Sequence, residues 1–256
     1  MSKIKLTILG CGTCVPLKEK NPAGFLLEIG DRLILLDAGY GTIRRMLDLG
    51  FDVQDIDLAF ASHFHPDHFA DFFNLIFARF GNAKGLRKPE TTLKLMGPRG
   101  LEDNFLKWRQ IYWHEWDANN ETYPVEFFEG ERVLEMAKIK LQTFSVFHVK
   151  WMKALGIAIE FEGKKIVYTG DIGQETDFVN AAKTARNADL LICEASLKNS
   201  SCSIFTLENA KKFGEKADVK KILIIHVFPE NEEKARAFCQ KEKKFILGRD
   251  TETIEV

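Results

Sequence analysis

Short apolar runs set the rhythm of this chain, and most have the length of a strand. Residues 4–9 (IKLTIL) read as a buried strand that stops at Gly10-Cys11-Gly12. Residues 24–29 and 32–36, rich in Leu and Ile, read as a hairpin turning at Gly30-Asp31. Beyond Asp37-Ala38-Gly39 a helix is predicted from about Thr42 to Leu49, and residues 57–62 (DLAFAS) form a short apolar strand. Residues 69–80 are strongly apolar and aromatic and predict a buried helix. A strand at 92–96, a turn at Gly97-Pro98, a helix at 100–112 and a polar loop at 115–124 complete the first half. The second half predicts strands at 125–129, 132–136, 138–146, 155–161 and 165–169. A helix at 176–187, a strand at 189–193, a helix at 206–216, a strand at 221–225, a helix at 230–240 and a last strand near 245–247 follow. Strands cluster at the start of each half, and helices alternate with strands later. That order suits an α/β protein in which two sheets pack face to face with helices outside, a four-layer α/β/β/α sandwich. No linker rich in Pro, Gly or Ser interrupts the chain, so a single domain over 1–256 is the simpler reading.

Composition narrows the function classes. Of 256 residues, 45% are hydrophobic and 29% charged, with a formal net charge of -1. This is an ordinary globular profile. It argues against a broad basic footprint for nucleic acid and leaves only a local patch open. The N-terminus shows no signal peptide, and no stretch reaches the roughly 18 apolar residues of a membrane span, so the expectation is a cytoplasmic protein with no membrane partner. Five cysteines, an odd number, read as reduced thiols. Cys11 and Cys14 form a C-x-x-C with no second pair, which reads as small residues in a Gly-rich turn.

The chemistry concentrates in the histidines. Three of the six fall in His63-Phe64-His65-Pro66-Asp67-His68. Where a strand ends, alternate residues point the same way, so His63 and His65 can face one metal ion. Asp67 and His68, on the turn that follows, can face a second. Burying four such groups without a cation would strand several polar atoms at once. Imidazole with carboxylate suits zinc, and also iron or manganese.

Other motifs fall in step with this cluster. Gly10-Cys11-Gly12-Thr13, Leu36-Asp37-Ala38-Gly39, the H-x-H-x-D-H run, His148, Tyr168-Thr169-Gly170-Asp171, and His226 after KILII occur in that order. The ordered set resembles the metallo-β-lactamase-fold hydrolase superfamily and spans most of the chain. The resemblance implies two divalent cations, zinc first, with His63, His65 and His148 around one and Asp67, His68 and His226 around the other. Asp171 would lie between them, with a bridging hydroxide as nucleophile. Asp67 and Glu194 are the candidate catalytic carboxylates, Glu194 because its analogue in related phosphodiesterases lies near the active site. Asp37 reads either as a partner that fixes a ligand histidine or as a strand-end turn cap. His114 is left over and reads as packing or surface. Lys150, Trp151 and Lys153, just after His148, read as solvated residues or as the substrate mouth.

Within the superfamily, Asp189–Ser196 and Thr206–Ala210 resemble the ribonuclease Z-like and cyclic-phosphodiesterase-like branch. Two departures stand out. Only a compact hairpin, with Glu162-Gly163 at its tip, separates His148 from Asp171, where the nucleases carry a tRNA-binding arm. Ile204 stands where the branch has a histidine that assists the leaving group. The resemblance thus implies a metallo-hydrolase, a phosphodiesterase acting on a small-molecule or nucleotide ester, with RNA open but not favoured. A tRNA 3′ endonuclease, a thioester, lactone or β-lactam hydrolase, and a non-catalytic metal-binding protein are the alternatives. The aromatic run Phe69–Phe80 reads as internal packing or as a homodimer surface.

Overall fold

The computed structural model describes residues 4–80, 92–113, 125–196 and 205–256. Strands β1 (Ile4–Gly10), β2 (Gly24–Ile29), β3 (Arg32–Ala38), β4 (Ile56–Phe60), β5 (Leu93–Gly97) and β6 (Val125–Glu129) lie side by side in that order. A seventh strand, β14 (Thr253–Glu255), joins them on the free side of β1. The second sheet runs β13-β12-β11-β10-β9-β8-β7, from β7 (Val133–Met136), β8 (Ile139–Val149), β9 (Met152–Phe161) and β10 (Lys164–Tyr168) to β11 (Leu190–Glu194), β12 (Lys221–Ile225) and β13 (Phe245–Leu247).

Period-two alternation explains why the sheets stack. Ile4, Leu6 and Ile8 of β1 and Leu27 of β2 point inward and meet Ile157, Ile159, Ile166 and Ile192 of the facing sheet in one buried cluster. The opposite faces are apolar too and are covered by helices. Leu26, Leu35 and Ala59 pack with residues of α1 (Thr42–Asp48), α3 (Phe72–Phe80) and α4 (Leu101–Tyr112). Val167, Leu191 and Cys193 pack with α5 (Phe178–Ala185), α6 (Leu207–Lys216) and α7 (Glu232–Lys241). The layers are therefore helix, sheet, sheet, helix, as the sequence predicts.

Three details differ from expectation. The helix predicted at 69–80 is broken into α2 (Pro66–Phe69) and α3. Between them, the Asp71 N–H donates to the Ala38 carbonyl and its carboxylate accepts from the Ile43 N–H, so the chain is pinned to β3 and α1 and the helix cannot run through. Strand β8 continues to Val149, which puts His148 on the strand and not after it. The chain does not end at β13: residues 253–255 return to the first sheet and pair antiparallel with β1, Leu6 opposite Ile254. Its short polar run TETIEV gives no apolar signal. The polar loop 115–124, His114 and Ile204 lie outside the described residues. Among the described residues no helix is long and apolar enough to cross a membrane.

The topology fixes where chemistry can sit. Strands β3 to β6 are parallel to one another, and so are β10 to β13. Their carboxyl ends therefore gather at common edges, the usual place for a ligand site in parallel sheets.

Candidate metal centre

Each strand end delivers one piece. The loop after β4 carries His63 and His65; His65 is the residue before α2, whose first turn holds Asp67 and His68. His148 comes from the last turn of β8, Asp171 from the loop after β10, Glu194 from the end of β11 and His226 from the residue after β12. Two close approaches demand glycine. A Cβ on Gly39 would lie 2.3 Å from the Asp67 carbonyl oxygen. One on Gly170, at φ 59°, would lie 2.4 Å from the Ser62 Cβ. The L-D-x-G and Y-T-G-D glycines thus let the chain pass close to the Asp67 backbone and the Ser62 side chain behind the cluster.

The predicted residues converge. His63 Nε2 and His148 Nε2 lie 2.9 and 3.1 Å from His65 Nδ1. Asp171 Oδ2 lies 3.9 Å from His63 Nε2 and 3.7 Å from His148 Nε2. On the other side, His226 Nε2 is 3.3 Å from Asp67 Oδ2 and 3.7 Å from Asp171 Oδ2. His68 Nε2 is 3.9 Å from Asp67 Oδ2 and 3.1 Å from Asp171 Oδ1. Asp171 belongs to both sides, and Glu194 stands behind His226 with Oε2 3.9 Å from its Nδ1. Two ligand-type groups result, His63/His65/His148/Asp171 and Asp67/His68/His226, and a third, Asp171/Glu194/His226, overlaps them.

Hydrogen bonds behind the rings determine which nitrogens face inward. The Asp37 carboxylate, fully buried, accepts from Ser62 N–H at 2.6 Å, Ser62 Oγ at 2.7 Å, Tyr168 OH at 2.5 Å and His68 Nδ1–H at 2.7 Å. His68 is therefore protonated on Nδ1, leaving the lone pair of Nε2 aimed at the cluster. Asp37 is a ring-orienting residue as well as a strand-end carboxylate. Ser62 gives its one hydroxyl proton to Asp37, so it accepts from His63 Nδ1–H at 3.0 Å. The Nε2 of His63 is then bare as well. Ser196 Oγ bonds to the Glu194 carboxylate and lies 3.4 Å from His226 Nδ1. Glu194 Oε1 accepts from the Ile172 N–H at 2.6 Å, which steadies the residue after Asp171.

The fit to a cation can be tested on these atoms. His68 Nε2 and Asp171 Oδ1 are buried without a hydrogen-bond partner although only 3.1 Å apart. Donors on a tetrahedral ion at roughly 2.0–2.1 Å stand about 3.4 Å from one another, close to the spacings here. Orphaned lone pairs, converging imidazoles and carboxylates are what a divalent cation would satisfy. The electrostatics show the same tension. Burial and the neighbouring His68 push His63 well below the usual histidine pKa. Burial would lower His68 too, but Asp171 and Asp37 carry it well above, so a proton and a cation compete for the same Nε2 lone pair. Asp171 is held far below the carboxylate range because His226 and His68 outweigh its burial. Burial, then Asp171, lifts Glu194 to about 8.

Other candidates sit apart. Cys11 Sγ is buried and donates to the Gly248 carbonyl and Asp250, and burial pushes its thiol up. Cys14 is exposed, and neither joins a ligand group among the described residues. Phe72 and Phe73 of the aromatic run are buried, and Phe77 is exposed. Lys150 and Trp151 form the exposed turn between β8 and β9. Sequence reasoning passed over Ser62, Ser196 and Tyr40. The first two flank motif residues, Ser62 beside His63 and Ser196 two beyond Glu194, which is the only signal they offered. Tyr40 follows Gly39 onto the rim, where burial and the charge of Asp67 raise its phenol.

This fold and this cluster define a metallo-hydrolase of the metallo-β-lactamase fold. The chain belongs to the family described as anti-Pycsar protein Apyc1, whose model matches residues 4–248. It is also similar to ribonuclease Z of Thermococcus sibiricus, 28% identical with 99% of this chain and 96% of that protein covered. Ribonuclease Z of Archaeoglobus fulgidus is 23% identical over 312 aligned positions, covering 98% of this chain and 97% of that one. An alignment of 312 positions exceeds the 256 residues here, so that relative contains insertions this chain lacks. In fold, the chain resembles the metallo-β-lactamase fold protein YhfI from Bacillus subtilis (TM-score 0.79, 18% identity, 100% of both chains). It also resembles the short form of human tRNase Z (TM-score 0.77, 19% identity, 98% of both).

Proposed function

We propose that this protein is a phosphodiesterase for small organic or nucleotide esters, working with two divalent cations, zinc first. The carrying observation is the paired donor set joined at Asp171, with buried His68 Nε2 and Asp171 Oδ1 left without partners. His63, His65 and His148 would hold one cation, Asp67, His68 and His226 the other, and Asp171 both. Such a pair supplies a hydroxide nucleophile near neutral pH and offsets charge that builds on the ester oxygens. The protein's own groups do the positioning. Asp37 and Ser62 keep the inward nitrogens of His68 and His63 bare, and Ser196 and Glu194 hold His226 and the Asp171 loop. Asp67, at the edge of the cluster, orients the attacking water. Glu194 acts through these neighbours, since both of its oxygens are engaged. The reading takes residues 1–256 as one domain, supported by the core the two sheets share.

A second reading, a tRNA 3′ endonuclease, draws on the names of the ribonuclease Z relatives. The tight Glu162-Gly163 turn from β9 to β10, where those nucleases carry a long arm, weighs against it. Protein loaded with zinc should hydrolyse bis-p-nitrophenyl phosphate, with His65→Ala and Asp171→Ala both lowering kcat/KM by at least about a hundredfold. A pre-tRNA with a 3′ trailer should remain uncut. Turnover of a thioester or lactone in place of the phosphodiester would transfer the reading to carbonyl chemistry. Purified protein that retains no transition metal would end it.

A further inference from the structure

The solvent side of the cluster is the edge made by half-buried His65 and by His148. The strand that carries His148 ends one residue later, and Val149 pairs with Met152, so Lys150 and Trp151 form a two-residue turn at that edge. Three residues at full extension span no more than about 11 Å, which bounds the distance from the backbone of His148 to that of Trp151. The turn is unusual in what it leaves uncovered. Trp151 is 80% exposed, the most exposed large apolar side chain among the described residues. Indole is a costly group to leave in water unless something covers it. Among the described residues its ring has no ring contact, and the ammonium groups of Lys150 and Lys153 have no ion pair. The groove of about 640 Å³ beside β8 that Lys150 and Lys153 also line is a separate feature: Glu131, Glu175 and Asp177 line it too, and neither Trp151 nor any residue of the cluster does.

An aromatic face free to stack, two unpaired cations beside it and a hydrolytic centre within one nucleotide's reach have a common ligand chemistry. Bases stack on indole whatever their identity, and phosphates seek lysine. Resting on the phosphodiesterase reading, we propose that Trp151 stacks on the base of a nucleotide substrate while Lys150 and Lys153 attract its phosphate. Trp151 thereby selects nucleoside esters over simple alkyl or aryl esters. With a net charge of -1 and so short a cationic stretch, the turn suits a mononucleotide better than a long nucleic-acid strand.

Two esters with the same leaving group test this. Thymidine 5′-(p-nitrophenyl phosphate) carries a base, and methyl p-nitrophenyl phosphate does not. Trp151→Ala should raise KM for the thymidine ester on the order of tenfold or more while kcat/KM for the methyl ester stays within about twofold, and Trp151→Phe should retain most of the preference. Lys150→Ala with Lys153→Ala should weaken both esters. Titration of the wild type with thymidine 5′-monophosphate should quench tryptophan fluorescence, inorganic phosphate should not, and the quench should vanish in Trp151→Phe. Equal losses on both esters, no loss on either, or quenching that survives the substitution would overturn the assignment. So would a change in sedimentation of Trp151→Ala, because the indole would then belong to a contact between copies. If the wild type hydrolyses neither ester, the phosphodiesterase reading fails, and the fluorescence titration still decides whether Trp151 meets a base.

Discussion

Two residues of the cluster region, Asp37 and His226, hold the left-handed backbone conformation at φ 54° and 53°. For a residue with a Cβ this costs about 1–2 kcal/mol. The surroundings enforce it: Asp37 collects four donors on one carboxylate, and the His226 N–H is tied to the Cys11 carbonyl at 2.9 Å. Strain kept in place by that many bonds points to a geometry the chemistry requires. Asp37→Asn tests it. The amide keeps the shape but replaces one acceptor oxygen with a donor, so the Nδ1 proton of His68 loses its fixed partner. Zinc affinity, measured by competition with a chelator, should fall by about 10- to 100-fold while the far-UV circular dichroism is unchanged. Unaltered affinity would remove Asp37 from the site. Gly170 makes a complementary case. Gly170→Ala combines φ 59° with a Cβ 2.4 Å from that of Ser62. Urea unfolding should show a loss of roughly 2 kcal/mol or more, and a loss under about half a kcal/mol would mean that the loop relaxes freely.

At the scale of elements, the sequence was legible wherever a side chain's surroundings follow from its neighbours in the chain. Strands β2, β6, β12 and β13 begin and end where the apolar runs do. The break between α2 and α3 was hidden because it depends on what Asp71 meets across the fold, and β14 because its pairing with β1 joins residues almost 250 apart. The cluster followed the same logic. Its seven ligand-type residues could be read because their types are rare and ordered. Ser62 and Ser196 could not, because a hydroxyl gains meaning only from the ring beside it. Asp189, one residue before β11, shows what such long-range contacts contribute to stability. Its carboxylate accepts from the Lys165 N–H at 2.9 Å and from Lys220 Nζ at 2.7 Å, with Lys164 3.6 Å away. It thus ties the starts of β10, β11 and β12. Burial pushes its pKa up, but the Lys220 hydrogen bond and the other two lysines hold it below the ordinary carboxylate value. A depressed folded-state pKa means stability that is present above the unfolded value near 3.9 and is lost as pH falls through the folded one. Asp189→Asn should therefore cost about 1 kcal/mol at pH 7, with the gap to wild type closing as pH falls below the unfolded carboxylate value. A gap that stays constant across that range would show that shape, not charge, carries the contact.

At the scale of the molecule, the cluster is the seam between the two sheets. His63, His65, Asp67 and His68 come from loops of the first, and His148, Asp171 and His226 from strand ends of the second. The apolar core between the sheets is continuous behind the seam. At the seam itself, five imidazoles and two carboxylates are packed with orphaned lone pairs, an arrangement that opposes closure unless something neutralises it. Cations held there would bind only when both sheets are in register, so they bind the folded state and not the unfolded one. At a free concentration 100 times Kd, such binding contributes about 2.7 kcal/mol. For a chain of this length, each kcal/mol moves Tm by roughly 2–4 °C. Stripping the protein with a strong chelator should therefore lower Tm by about 5–10 °C, and stoichiometric zinc should restore it. His65→Ala should reduce the zinc response. Asp171→Ala should nearly abolish it, since the Asp171 carboxylate lies within 4 Å of histidines of both donor groups and both sheets. Substituting Cys14, exposed and outside both donor groups, should leave the response intact. A Tm that ignores chelator and every divalent cation tried would mean that the seam closes on its hydrogen bonds alone, and the paired donor set would then be structure without a metal.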